Sequence, residues 1–246
     1  MKLEFDTDIG IGTRATMGMI VLETDETLEP EFSRIMALEG VALYHSRIPM
    51  VPEVRADTLA KMERDLPASA RLLPSAPDYD VIGYGCTSAS SVIGSENVAR
   101  AIRTVYPNAL VSDPLAAVIA AGRELKAKRL GFITPYIPEV SERMRRRLVE
   151  AGFDIAGFGS FEEGNDRTVA RICEKSIVAA AENIAAAAPC DAIVISCTSL
   201  RTLNIIKEME RKVGVPIISS NQALAWHMLR LAKIRDPLPD FGLLFG

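Results

Sequence analysis

The tripeptide Cys-Thr-Ser occurs twice, at Cys86–Ser88 and Cys197–Ser199, with the cysteines 111 residues apart. In each copy an aspartate leads the cysteine by six residues, as Asp80-x-Ile82 before Cys86 and Asp191-x-Ile193 before Cys197. Gly18-Met-Ile and Gly131-Phe-Ile recur 113 apart, and Val111-Ser112-Asp113 and Ile218-Ser219-Ser220 recur 107 apart. Four landmarks in one order at a nearly constant offset point to an internal duplication, so the 246 residues read as two similar halves.

Short apolar runs alternate with amphipathic stretches around these landmarks. The patterning predicts strands at 17–22, 81–84, 109–112, 130–134, 155–158, 192–196 and 216–219, with 48–54 extended. It predicts helices at 30–44, 57–73 (bent or split by Pro67), 96–105, 114–125, 140–151, 169–188, 203–213 and 222–231. Such alternation implies an α/β fold with parallel sheets covered on both faces. Two similar lobes are expected about a pseudo-two-fold axis, with strand C-termini opening onto one cleft that holds the active site. The boundaries expected are 1–113 plus about 222–246 for the first lobe and 114–221 for the second.

Composition narrows the function classes. Hydrophobic residues make up 48 % and the net charge is −4, which suits a globular core and argues against nucleic acid as a partner. No apolar run reaches the roughly 20 residues that span a bilayer, and the acidic N-terminal stretch does not read as a signal peptide. A cytoplasmic protein without membrane partners is expected. The four cysteines form no CxxC pair and the two histidines, His45 and His227, lie far apart, so neither a metal site nor a disulfide framework is expected.

Cys86 and Cys197 each follow an apolar strand and precede small hydroxyl residues, the place where α/β folds put ligands. Turn amides there would favour anions and raise the thiolate fraction, which for a free thiol is only about 3 % at neutral pH. Two thiols facing across a substrate can invert a stereocentre, one taking a proton and the other returning one. Alternatively, one thiolate can add to an electron-poor double bond and allow rotation about it. Cys173, placed on the apolar face of the 169–188 helix, and Cys190 have no counterpart in the other half and read as structural.

The chain resembles the aspartate/glutamate racemase superfamily, in particular its maleate cis-trans isomerase and arylmalonate decarboxylase branch. The resemblance covers about residues 16–232 and rests on Gly18-Met-Ile-Val, Glu29-Pro-Glu-Phe32, Gly85-Cys-Thr-Ser88, Thr134-Pro-Tyr136, Val169-Ala-Arg-Ile172, Ser196-Cys-Thr198, Gly214-Val-Pro216 and Ser219-Ser-Asn221. It implies two Rossmann-like lobes, a small carboxylate substrate between them, no cofactor, and Cys86 and Cys197 as the catalytic thiols. In maleate isomerases the first thiol is the nucleophile and the second the acid/base, and a tyrosine matching Tyr136 holds substrate. The decarboxylases resemble the chain but have glycine in place of the first cysteine. Thr87, Ser88, Thr198 and Ser199 are expected to bind carboxylate, and Thr24, Asp25 and Asn165 to read the distal group.

Two positions depart from the maleate isomerase pattern. Asp25 stands where those enzymes carry an asparagine, and the second family asparagine falls at either Asn165 or Asp166. An amide donates to a carboxylate, whereas an ionised Asp repels it. Asp25 with Glu23 would suit an ammonium, so an amino acid or diamino acid derivative joins maleate-like diacids among the expected substrates. Proteins of ectoine-degradation operons resemble this pattern and imply a diaminobutyrate-type substrate. The other reading of Asp25 is a helix cap near Thr27.

Gly10–Ala15 matches GxGxxA, but a polar tail precedes it and a strand follows, so it is no dinucleotide fingerprint. The arginines of 143–147 read as a solvated helix face beside Glu139, Glu142 and Glu150. Trp226 reads as core or oligomer interface, His227 as structural, and a homo-oligomer is expected. The expected function is a cofactor-independent isomerase or racemase. The alternatives are a malonate-type decarboxylase using Cys197 and a binding protein that has lost turnover.

Overall fold

The computed structural model describes residues 1–50 and 56–246. Two four-stranded, wholly parallel sheets form the centre. The first runs β2-β1-β3-β4, from β1 (Ala15–Leu22), β2 (Val41–Ile48), β3 (Val81–Gly85) and β4 (Leu110–Ser112). The second runs β6-β5-β7-β8, from β5 (Arg129–Thr134), β6 (Asp154–Ser160), β7 (Ala192–Ile195) and β8 (Ile217–Ser219). The strand order is the same in both, as the repeated landmarks anticipated. Central strands β1, β3 and β7 are buried along their whole length, which is why they read as continuous apolar runs and not as alternation.

The repeated aspartates hold the sheets together at the end opposite the cysteines. Asp80 accepts the Thr16 N–H at 2.8 Å, and Asp191 accepts those of Lys128 and Arg129, both at 2.8 Å. Each carboxylate thus pins the start of its sheet's central strand, β1 or β5. The fourth strands also end alike, in helix caps. Asp113 accepts from Leu115 and Ala116 to start α5 (Pro114–Glu124), and Ser219 forms a capping box with Gln222 to start α10 (Ser220–Leu231). Helix α10 returns to the first sheet, packing on β3, β4 and α5.

Several boundaries differ from the sequence reading. The helix expected over 30–44 is α1 (Leu28–Ile35), and the remainder turns at Gly40, whose φ of 76° favours glycine, into edge strand β2. This strand is only half-buried and mixes Tyr44, His45, Ser46 and Arg47 into its run, which masked it. The extended stretch expected at 48–54 is described only as far as Met50; the rest lies outside the described residues. Helix α2 (Ala56–Ala70) passes through Pro67 and ends soon after it. The turn expected after Cys86 is a helix, α3 (Thr87–Ile93), followed by α4 (Ser95–Arg103). The single helix expected over 169–188 is two pieces, α7 (Asp166–Val169) and α8 (Glu174–Ala187). Cys173 is therefore an exposed N-cap position and not part of a buried face.

The charged helix face and the buried Trp226 fall where the sequence placed them. In α6 (Pro138–Glu150), Arg143, Arg145 and Arg147 pair with Glu139, Glu142 and Glu150 on a solvated face. Trp226 is buried within the chain, with the Arg230 guanidinium over its ring, and His227 Nδ1 shares a 2.8 Å hydrogen bond with the Ser112 hydroxyl. Gly10–Arg14 precedes β1 as a loop. Among the described residues no helix is long and apolar enough to cross a membrane, and no cluster of His, Cys, Asp and Glu could hold a metal ion.

Candidate active site

The duplication delivers two thiols to equivalent strand ends. Cys86 follows β3 and is the N-cap of α3, its Sγ accepting the Ala89 N–H at 3.3 Å. Cys197 follows β7, its Sγ accepting the Ser199 N–H at 3.3 Å, but a turn follows it and the next helix, α9, spans Ile206–Val213. Both cysteines are 2 % exposed. Tyr136 is buried on the loop after β5, where desolvation raises its hydroxyl well above the ordinary tyrosine value, and its hydroxyl opposes the rise of the Cys197 thiol. Tyr84, fully buried on β3, donates its hydroxyl to the Met62 sulfur at 3.5 Å and, more weakly, opposes the rise of the Cys86 thiol.

Burial dominates the electrostatics. It pushes the Cys86 thiol up to about 11, against hydrogen bonds from Ser88, Ala89 and Tyr84 that favour the thiolate. Cys197 is also pushed up, by burial first and then by the charge of Asp166, with Tyr136 and Ser199 opposing. The amides expected to raise the thiolate fraction are present, but desolvation outweighs them in this closed arrangement. A thiolate formed here is correspondingly a strong base, suited to a weakly acidic carbon.

The small residues after each cysteine divide their work. Thr87 shares a 3.0 Å hydrogen bond with Ser220, and Ser88 Oγ lies 3.5 Å from the Cys86 sulfur. Their backbone N–H groups stand in the first turn of α3, where a helix supplies no partner of its own. Thr198 donates to the Gly85 carbonyl at 3.5 Å, and Ser199 donates to Asp166 Oδ1 at 2.8 Å.

The carboxylates come from the loop after β1 and from the first residue of α7. Thr24 donates to Asp166 Oδ2 at 2.7 Å, and Asp166 is 3 % exposed, its charge reaching both thiols. Asn165 instead caps α7, accepting from Arg167 and Thr168. Of the two residues the sequence left open, Asp166 meets Thr24 and Ser199, and the Asn165 side-chain oxygen is spent on the cap. The two oxygens of Asp25 differ. Its Oδ1 accepts the N–H groups of Thr27 and Leu28 at 2.7 Å each, at the start of α1, while its Oδ2 is buried without a hydrogen-bond partner. The Thr198 hydroxyl lies close enough to favour the charged form, but burial raises the Asp25 carboxyl overall.

A second layer went unread in the sequence. Glu31 shares the buried face of α1 with Leu28, Phe32 and Ile35. Its Oε1 accepts the N–H groups of Thr202 and Leu203 at 2.9 Å, and its Oε2 accepts from Asn221 at 2.8 Å. Asn221 also donates to the Thr198 carbonyl, and Thr27 to that of Ser199. These bonds fasten the first half to the Cys197 turn. The signal was an acid on an otherwise apolar helical stripe.

Known proteins share this fold. A family model described as arylmalonate decarboxylase matches residues 89–245. The chain is 27 % identical to a maleate isomerase of Nocardia farcinica over 93 % of its own length and 94 % of that protein's. It is 36 % identical to an arylmalonate decarboxylase of Bordetella bronchiseptica over 52 % of this chain and 55 % of that one. The maleate isomerase Iso of Pseudomonas putida S16 superposes with a TM-score of 0.84 at 26 % identity, covering 94 % of this chain and 98 % of that one. A cysteine-to-serine mutant of the Nocardia farcinica maleate cis-trans isomerase, solved with a covalently bound succinylcysteine intermediate, superposes with a TM-score of 0.79 at 25 % identity, over 94 % and 98 %.

Proposed function

The chain belongs to the arylmalonate decarboxylase family, and on that premise we propose that it is a cofactor-independent isomerase or racemase of a small carboxylic acid, working through Cys86 and Cys197. The observation that carries this reading is the pair of buried thiols at equivalent strand ends, each sulfur accepting a backbone N–H at 3.3 Å. Relatives named maleate isomerase, one of them holding a succinylcysteine, support it.

In the racemase form, the thiolate of one cysteine takes the α-proton and the opposite thiol returns its own proton to the other face. The product is inverted and the two sulfurs have exchanged protonation states. In the isomerase form, the Cys86 thiolate adds to one alkene carbon while the Cys197 thiol protonates its neighbour. Rotation about the new single bond and reversal of both steps release the other geometric isomer. Tyr136 holds Cys197 and the intermediate, the first amides of α3 with Thr87 and Ser88 take a carboxylate, and Thr198 and Ser199 shape the opposite wall. Water exclusion by the closed lobes strengthens each of these contacts.

A second reading, decarboxylation of a malonate-like acid with Cys197 as proton donor, is favoured by the family match over 89–245. Proton NMR in D₂O separates them. The panel is maleate, both enantiomers of aspartate and glutamate, diaminobutyrate and its N-acetyl derivatives, and a disubstituted malonate. Deuterium at an α-carbon, or conversion of maleate to fumarate, is the expected result; carbon dioxide from the malonate alone overturns it in favour of decarboxylation. Stabilisation by a panel member with no product would leave a binding protein. The lobe boundaries at 113 and 221, a cytoplasmic location and a homo-oligomer, testable by light scattering, belong to the same reading.

A further inference from the structure

We propose that the Asp25 and Asp166 side chains form a subsite for a substrate ammonium group, so that the substrate is a zwitterionic amino acid and not a dicarboxylate. This deepens the reading above and rests on it. The two carboxylates come from opposite halves of the chain, and Asp166 is held by Thr24, the residue before Asp25, and by Ser199 of the Cys197 turn. Asp25 is 2 % exposed, and its Oδ2 is buried with no partner. The neighbouring Thr198 hydroxyl donates to the Gly85 carbonyl, so Oδ2 is open to a donor from outside the protein.

Arg47, which hydrogen-bonds the main chain of the same loop, does not supply it. Arg47 spends its guanidinium on the main-chain carbonyls of Leu22, Glu23 and Asp25 and on the Glu29 carboxylate, 2.9 Å away. Among the described residues neither Asp25 nor Asp166 is in an ion pair. The third buried acid nearby, Glu31, is fully engaged by Thr202, Leu203 and Asn221 and is left out of the subsite. Just outside Thr24 lies a cavity of about 400 Å³, lined by Glu23, Thr24, Glu26, Met50 and Arg167. Glu26 is bound by Arg171, which leaves Glu23 and Arg167 as its charged walls.

The geometry accounts for an ammonium better than for a second carboxylate. An ammonium offers three donors, enough for Asp25 Oδ2 and an oxygen of Asp166, and its charge offsets two carboxylates that repel one another. A substrate dicarboxylate would add a third negative charge to the same pocket.

The test uses a matched pair of ligands. Succinate and γ-aminobutyrate have the same chain length, differ in one terminal group, and contain neither a stereocentre nor a double bond, so neither is turned over. Isothermal titration at pH 7.5 with each, on the wild-type protein and on Cys86→Ser, reads recognition independently of chemistry. The expected result is γ-aminobutyrate at least tenfold tighter than succinate in both proteins. Asp25→Asn keeps the Oδ1 cap on α1, and Asp166→Asn keeps one acceptor; each should cut the preference at least tenfold. Equal or tighter binding of succinate overturns the proposal, as does a preference unchanged in both variants, or no heat from γ-aminobutyrate at millimolar concentration. Succinate binding that strengthens as pH falls would assign Asp25 the part of a protonated donor and also overturn it. Full turnover in Cys86→Ser with the preference retained would instead count against the two-thiol reaction and leave this subsite standing.

Discussion

Thr24 donates its hydroxyl to Asp166 across the two halves of the chain, at 2.7 Å, and Ser199 donates to the other oxygen of the same carboxylate at 2.8 Å. One side chain thus joins the loop after β1 to the turn that carries Cys197. With both thiols 2 % exposed, a substrate reaches them only if this closure opens. Thr24→Val keeps the branched shape and removes the donor. Losing one such bond, about 1 kcal/mol, should raise the open population roughly fivefold. Alkylation of Cys86 and Cys197 by iodoacetamide, followed by peptide mass spectrometry, should accelerate by that factor. An unchanged rate would mean that access runs elsewhere.

The thiols and Tyr136 are predicted to be separable by their effects. Cys86→Ser and Cys197→Ser are nearly isosteric and replace buried, uncharged groups. Each should lower turnover by at least ~10²-fold while leaving the melting temperature close to that of the wild type. Tyr136→Phe removes only the hydroxyl that opposes the rise of the Cys197 thiol and should cost about 10²-fold, as for other single donors at a reacting centre. Full activity in either cysteine variant would sink the two-thiol mechanism.

Cys173 is the cysteine most open to chemistry, though it is not in the site. It is exposed at the start of α8, and hydrogen bonds from Ser176 lower its thiol. At pH 7.5 it should be the first residue alkylated, well ahead of Cys86 and Cys197. Cys173→Ser should abolish that fast phase and leave turnover intact. Slow labelling of Cys173, or a loss of activity in the variant, would contradict this separation.

How far the sequence revealed all this depends on the kind of signal. Cys86 and Cys197 were legible because the duplication marks them twice, and chance does not readily place the same tripeptide after two apolar strands at one spacing from an aspartate. The repeated Asp80 and Asp191 were equally visible, but their task, bonding the N–H groups of Thr16, Lys128 and Arg129, needs the neighbouring strand to be in place. Strand β2 was hidden because an edge strand lacks the unbroken apolar run of β1 or β7. Asp166 stood beside Asn165 with no local reason to prefer either. Only the fold shows that Asn165 is used as the cap of α7, leaving Asp166 beneath Thr24 and Ser199. The elevated thiols were the least legible feature. Donors to sulfur can be anticipated from a strand-end turn, but the burial that outweighs them belongs to the assembled lobes.

That burial makes stability depend on alkaline pH in a definite direction. The Cys86 thiol rises from 9.0 to about 11 on folding, chiefly through desolvation. Below pH 9 both folded and unfolded chains carry the neutral thiol, and its burial adds stability in full. Between pH 9 and 11 the unfolded chain ionises while the folded one does not, so unfolding is progressively favoured. Over that window the elevation corresponds to a loss of roughly 3 kcal/mol. Cys197, also raised by burial, acts with the same sign. Urea unfolding from pH 7.5 to 11 should therefore show a falling midpoint in the wild type and a shallower fall in Cys86→Ser, whose hydroxyl does not titrate. Parallel curves would show that the folded chain does not hold Cys86 neutral, and would return the thiolate to the resting site.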